Sequence, residues 1–371
     1  MRILAIDIGT GTQDILLFDS SQTLENCVKM VMPSPTAIAA QRIREATARR
    51  HPVALTGFNM GGGPCRWALE DHLKAGLAAF ATAQAARTFD DDLSQVQALG
   101  VRIVSEEEAV RLDKAAPVRL ADLDLEAIRT ALASFDVDGR FDGIGIAVLD
   151  HGEAPPDVSD RIFRFEHIRR VLTEKRSLMG FAYLADELPP YLTRMRDITH
   201  QVDGSGPLLL LDTGPAAALG ALEDPVVAGS KRVILVNAGN MHTMAVHLED
   251  GKLLGLFEHH TGALTPDQLD EYLDKLAAGT LTHEEIFEQH GHGCHILSRP
   301  NVKGRPLVAI TGPQRGRFAR PAPKGRSRPS PAYLAVPHGD MMIAGCFGLL
   351  RAFAARVPEW REEIERALAI D

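Results

Sequence analysis

The 371-residue sequence predicts an α/β protein of two domains. Three observations predict it. Apolar strands alternate with helical stretches, and the strands end in glycine and polar residues, as in folds that bind ligands at strand ends. A strand–glycine turn–strand unit opens the chain at residues 1–19, and one of the same kind recurs at 232–248. The length gives each half enough chain for an apolar core of its own.

Composition narrows the class. Hydrophobic residues make up 45% of the chain, yet no apolar run approaches the ~20 residues of a membrane span. No signal peptide is expected ahead of the first strand. A net charge of −9 gives no general bias toward nucleic acid or an anionic membrane, and neither is expected as a partner. Cys27, Cys65, Cys294 and Cys346 are far apart and form no CxxC. This excludes a cysteine-only zinc ribbon or a local iron–sulfur motif and suits a reducing cytoplasm.

Taken in order, residues 2–8 are a strand of buried type, since Ile3, Leu4, Ala5 and Ile6 run without polar interruption. Asp7 interrupts it near its carboxyl end. Gly9-Thr10-Gly11-Thr12-Gln13 turns the chain, and residues 14–18 run back. The turn's backbone N–H groups and hydroxyls suit a phosphate tail, and Asp7 suits a hydrated Mg²⁺ bridging to phosphates. An ordinary tight hairpin is the plainer reading. Asp14 either points into a cleft or simply begins the strand.

A helix over 36–51 leads to a strand at 52–56 and then to Gly61-Gly62-Gly63-Pro64. Gly61 and Gly62 offer an anion-binding loop for a second substrate, or a left-handed turn before a helix at 66–86. A short strand at 100–104 and helices at 105–112 and 124–135 follow. Residues 141–149 are a strong buried strand ending in Asp150-His151-Gly152. At that strand end Asp150 is the candidate base and His151 a candidate anion contact, with a turn cap as the alternative for Asp150. Helices over 161–173 and 180–196 precede the strand 208–211. There Asp212 either touches the cleft or caps a helix over 215–222.

The strand 232–236 then ends in Asn237-Ala238-Gly239-Asn240-Met241-His242-Thr243 before the return strand 244–248. Two such hairpins facing each other can clamp one phosphate chain. His290, His292, Cys294 and His295, with His259, His260 and His283 nearby in sequence, are a candidate transition-metal loop, a substrate or lid contact, or a plain loop. Residues 303–328 carry eight Lys or Arg and no acid. They read as a solvated surface loop or as a device that steers an acidic ligand or partner.

These segments, in this order, resemble the actin, sugar-kinase and heat-shock-chaperone ATPase superfamily. Asp7 to Thr12 resembles its first phosphate motif and Gly214 to Gly220 its alanine-rich connecting helix. Asn237 to Thr243 stands where the second phosphate motif belongs, and Glu258 to Gly262 resembles the segment closing the following hairpin. Leu307 to Pro313 is similar to the adenosine motif, and Gly339 to Gly348 to the second connecting helix. Within the superfamily the chain is similar to a family sometimes labelled "pyruvate formate-lyase activating enzyme". A radical activase needs three clustered cysteines, so that chemistry is not expected here.

The resemblance implies a ribonuclease H-like actin-type ATPase fold with mixed sheets and a nucleotide cleft. Domain I would span 1–228, completed by a C-terminal helix within 350–371, and domain II 229–349. It implies ATP and Mg²⁺, with Asp7 holding the metal through water and Asp7 and Asp150 as catalytic residues. Nucleotide contacts would come from Gly9, Thr10, Gly11, Thr12, Gln13, Asn237, Gly239, Asn240, Thr243, Gly312 and Pro313. From the residues themselves, substrate contacts are expected from Gly61, Gly62, His151, Asp212 and His259, and a weaker transition-metal site from His290, His292 and Cys294. Asn237 departs from the family pattern, which has Asp there. An amide carries no charge, so the metal would lean on Asp7. The expected activity is an ATPase or phosphotransferase acting on a small acidic metabolite. The alternative is a nucleotide-gated switch that activates a partner protein.

Overall fold

The computed structural model describes residues 1–202, 206–301, 304–319 and 332–369. Of the basic stretch, Lys303, Arg320, Lys324, Arg326 and Arg328 lie outside the described residues.

The opening hairpin sets the first sheet. Strand Arg2–Ile8 pairs antiparallel with Thr12–Asp19, which pairs antiparallel with Val28–Pro33. On its other side Arg2–Ile8 runs parallel to Gly143–Val148, followed by Leu208–Leu211 and the antiparallel Ala182–Leu184. Central strands buried on both faces need continuous apolar runs, and all six residues of Gly143–Val148 are buried.

The second sheet repeats the plan. Strands Arg232–Ala238, His242–Glu249 and Lys252–His260 form an antiparallel meander, and Leu307–Thr311 and Tyr333–Leu334 run parallel beside it. A further strand, Gly291–Ile296, extends the meander edge. Two mixed sheets of like plan are what the resemblance implies.

Two helices join the halves. Thr213–Ala221 and Ala344–Arg356 cross so closely that a Cβ at Gly220 would overlap the Ala344 carbonyl oxygen, and one at Gly348 would overlap that of Ala216. No other side chain fits at either position. One large apolar core surrounds this crossing and includes Ile3, Leu16, Val233, Leu235, Leu256 and Phe347. Ala344–Arg356 also covers the first sheet, where Gly145 makes room for Phe353.

Two expected helices break. The 66–86 pattern ends as helix Gly63–Lys74, because Gly76 turns the chain at φ +75°. Beyond it, Ala79–Thr82 is a strand. With Val101–Val104, Val53–Gly57 and Ala116–Leu120 it forms a separate, all-parallel four-stranded sheet with its own core. The 180–196 pattern is interrupted by Pro189 and Pro190, and only Thr193–Thr199 is an α-helix there. All four cysteines are free and buried: Cys27 and Cys346 in the large central core, Cys65 and Cys294 in two others.

Candidate functional site

The two hairpins close in the same way. Gly9 N–H donates to the Thr12 carbonyl at 2.9 Å, and Gly239 N–H donates to the His242 carbonyl at 3.0 Å. By this match Asp7 corresponds to Asn237, Thr12 to His242, and the cross-strand pair Asp7–Asp14 to Asn237–Met244. The hairpins meet: a Cβ at Gly11 would lie 2.6 Å from Asn240 Nδ2. Between and below them is a cavity of about 310 Å³.

Asp7, Gly9, Thr10 and Thr12 line this cleft from one side, and Asn237, Gly239 and Asn240 from the other. Gly312 and Pro313 form part of its wall, and Gly61, Gly62 and His151 line a further stretch. The loop of the first hairpin is fixed from outside. Ser34 Oγ donates to the Thr10 carbonyl at 2.6 Å while capping helix Pro35–Ala48.

Asp14, left open by the sequence, enters the cleft beside Asp7. Burial first, then the Asp7 charge, pushes its carboxyl up to about 8. Asp7 is raised to about 6, chiefly by burial, although the Thr213 hydroxyl donates to its Oδ1 at 2.7 Å. A Cβ at Gly345 would overlap Asp7 Oδ2, so glycine at the start of Ala344–Arg356 leaves room for that carboxylate. Asp14 Oδ1 is buried and has no hydrogen-bond partner among the described residues. Two facing carboxylates, one with an orphaned oxygen, fit a hard divalent cation such as Mg²⁺.

Several expected contacts fall elsewhere. Gln13 turns outward, where its Nε2 donates to the Pro33 carbonyl. Thr243 is buried behind the second hairpin and bonds Thr261 Oγ1, which in turn donates to the Gly239 carbonyl. Asp150 lines the cleft, but its two oxygens accept from the N–H groups of Gly152 at 2.8 Å and Met195 at 2.9 Å. The turn-cap alternative therefore describes it better than a base. Burial raises its pKa, and those two N–H groups oppose the rise.

Asp212 is also taken up. It caps Thr213–Ala221 through the Gly214 N–H and pairs with Arg164 at 2.8 Å. His259 points away from the cleft, since alternation along Lys252–His260 sends it to the outer face against Tyr272.

The expected His290–His292–Cys294 metal loop does not converge. A β-bulge opposite Glu258 and His259 shifts the register of Gly291–Ile296. Cys294 then packs in the outer core, where its thiol donates to the Leu281 carbonyl, and His290 is exposed. His292 turns inward instead and joins His151, His242 and His260. Its ring centroid is 4.9 Å from that of His242, 4.7 Å from that of His260 and 5.9 Å from that of His151. Burial pushes all four imidazoles toward the neutral form, His151 to about 3, with the Arg164 charge adding to the effect on His151, His242 and His292.

Nothing in the sequence marked Arg164. It is 1% exposed and joins Asp212 to Glu258, donating to Glu258 at 2.6 and 2.7 Å. Neither charged partner is near it in sequence. Arg194 and Asp122 form a second sequestered pair beneath Gly61.

Residues 60–317 match a family model described as "Putative pyruvate format-lyase activating enzyme (DUF1786)". Curated protein sequences return no match. Among solved structures, the chain is similar to the ethanolamine utilization protein EutJ of Carboxydothermus hydrogenoformans, at 12% identity over 94% of this chain and 89% of that one, with a TM-score of 0.33. It is similar to an Aquifex aeolicus Ppx/GppA family member at 10% identity over 84% of this chain and 66% of that one, TM-score 0.29. A ROK hexokinase from Thermus thermophilus matches at 14% identity over 68% of this chain and 48% of that one, TM-score 0.23. The chain thus spans less than two thirds of the length of the last two.

Proposed function

The chain belongs to the DUF1786 family, and we propose that it binds a Mg²⁺–ATP complex in its central cleft and transfers or releases the terminal phosphoryl group, with a small acidic metabolite as acceptor. The observation carrying this reading is the pair of matched glycine hairpins that meet across the cavity with Asp7 and Asp14 facing it. Backbone N–H groups of Gly9–Thr12 and Gly239–His242 would hold phosphate oxygens, and Asp7 and Asp14 would hold Mg²⁺. The ion would supply charge neutralisation on the phosphate chain. Asn237, opposite Asp7, adds a neutral acceptor where a third carboxylate would repel phosphate. Gly312 and Pro313 would support the nucleoside, and the Gly61–Gly63 loop, backed by Arg194, would receive the acidic acceptor.

Calorimetry with Mg²⁺ and ATP should show micromolar binding, roughly −8 kcal/mol. Asp7→Ala should keep the fold and lose the Mg²⁺ dependence. Absence of both heat and thermal stabilisation at millimolar nucleotide refutes the reading. One observation favours a second reading, a nucleotide-gated switch acting on a partner protein: both Asp150 oxygens are engaged by backbone N–H groups. Phosphate release stimulated by small carboxylic acids supports the first reading; release that responds only to a protein supports the second.

A further inference from the structure

The histidines of the cleft make a second site. We propose that His151, His242 and His292 bind one borderline divalent transition metal of the zinc, cobalt and iron(II) class, with His260 beside them. One ring nitrogen from each of the three lies within 4.8 Å of the others. Among the described residues, His242 Nε2 and both ring nitrogens of His292 are buried without a hydrogen-bond partner. Buried polar atoms are nearly always paired, so an orphaned nitrogen on each of these two rings points to a missing ligand. His292 itself is 0% exposed.

The surroundings fit a metal rather than an anion. Glu258 Oε2 is 3.4 Å from His292 Nδ1, and Arg164 locks that carboxylate in place. A carboxylate behind a ligating imidazole selects which ring nitrogen faces the metal and increases its basicity. Three imidazoles without a thiolate select zinc-class ions over Mg²⁺ or Ca²⁺, which prefer oxygen. Three protein ligands leave a position for an oxygen ligand. His151 and His242 line the cleft, so that position faces the same cavity as the phosphate hairpins.

The ligands also come from both halves of the molecule. His151 follows strand Gly143–Val148 of the first sheet, whereas His242 and His292 belong to strands of the second. A bound ion therefore ties the two walls of the cleft together. Asp7 and Asp14 take no part, so the site stands whether or not nucleotide binds.

The test uses the full-length protein stripped with chelator and titrated with Co²⁺ alone, without nucleotide. One equivalent should bind and give the visible absorption of a nitrogen- and oxygen-ligated four-coordinate ion, without a sulfur charge-transfer band. His292→Asn and His151→Ala should each weaken binding by more than the roughly 10–100-fold that losing an outer-shell partner costs, while Asp7→Ala binds Co²⁺ as the parent does. His292 is buried, so His151→Ala, on a partly exposed ring, carries the test if the other variant fails to fold. X-ray absorption of the zinc-loaded parent should report imidazole ligands with no substitution at all. No uptake by the parent, full affinity in His151→Ala, a sulfur band, or an all-oxygen spectrum overturns the proposal.

Discussion

At the scale of single residues, Asp14 is the group whose behaviour is easiest to measure. Asp7 at about 6 and Asp14 at about 8 both stand above the ordinary 3.8 of aspartate. The folded chain thus holds protons that the unfolded chain gives up near pH 4. Stability from this source is complete below about pH 4 and is lost as pH rises through about 6 and 8. Cation-free protein should melt at progressively lower temperature from about pH 5 to pH 9, millimolar Mg²⁺ should restore most of the loss at the alkaline end, and Asp14→Asn should flatten the upper part of the profile. A flat parent profile would show that the two carboxylates do not share a site. Across the cleft, Asn237→Asp should raise Mg²⁺ affinity or basal phosphate release. Unchanged Mg²⁺ dependence in the folded variant would remove Asn237 from the metal's vicinity.

At the scale of elements, the crossing of Thr213–Ala221 with Ala344–Arg356 makes the sharpest demand on sequence. A methyl at Gly348 would collide with the Ala216 carbonyl, and backbone cannot swing aside as a side chain can. Gly348→Ala should cost about 1–3 kcal/mol or more, seen as a lower denaturation midpoint. Equal stability would mean the helices separate freely. The hairpins and the first of these helices were legible in the residues, and the second helix only through the family resemblance. Of the four-stranded parallel sheet, only Val53–Gly57 and Val101–Val104 were read as strands. Ala79–Thr82 is short and alanine-rich, and the helical pattern of 66–86 reads straight through it when Gly76 is taken as a glycine tolerated inside a helix. The histidine cluster was half legible. His292 stood out beside His290 and Cys294, but alternation puts 292 and 294 on one face, and only the bulge opposite Glu258 separates them.

At the scale of the whole molecule, Arg164 is the strap at the base of the cleft. It leaves helix Asp160–Lys175 on the side of the first sheet and grips Glu258 of the second. In the sequence it sits among other arginines of that helix and looks like one more solvated charge; its distant carboxylates become visible only when the halves fold together. Arg164→Leu would strand Asp212 and Glu258 without their cation, at a cost of about 3–5 kcal/mol. Adding Glu258→Gln to that variant should recover part of the loss by removing one stranded charge. Thermal melts of the single and double variants measure the difference, and a double variant no more stable than the single would assign the loss to packing.

The four buried cysteines make the protein its own set of clocks. A thiol-reactive dye can reach none of them until the surrounding segment opens. Cys65 sits in the core of the four-stranded sheet and Cys294 in the outer core of the second large sheet. Cys27 lies beside the end of strand Thr12–Asp19, and the thiol of Cys346 donates to the Asp14 carbonyl directly behind the first hairpin. Each modification rate therefore times the opening of the segment around that thiol, read by mass spectrometry on the unaltered chain. Nucleotide held between the hairpins should slow the Cys346 clock most and leave that of Cys294 nearly at its original pace.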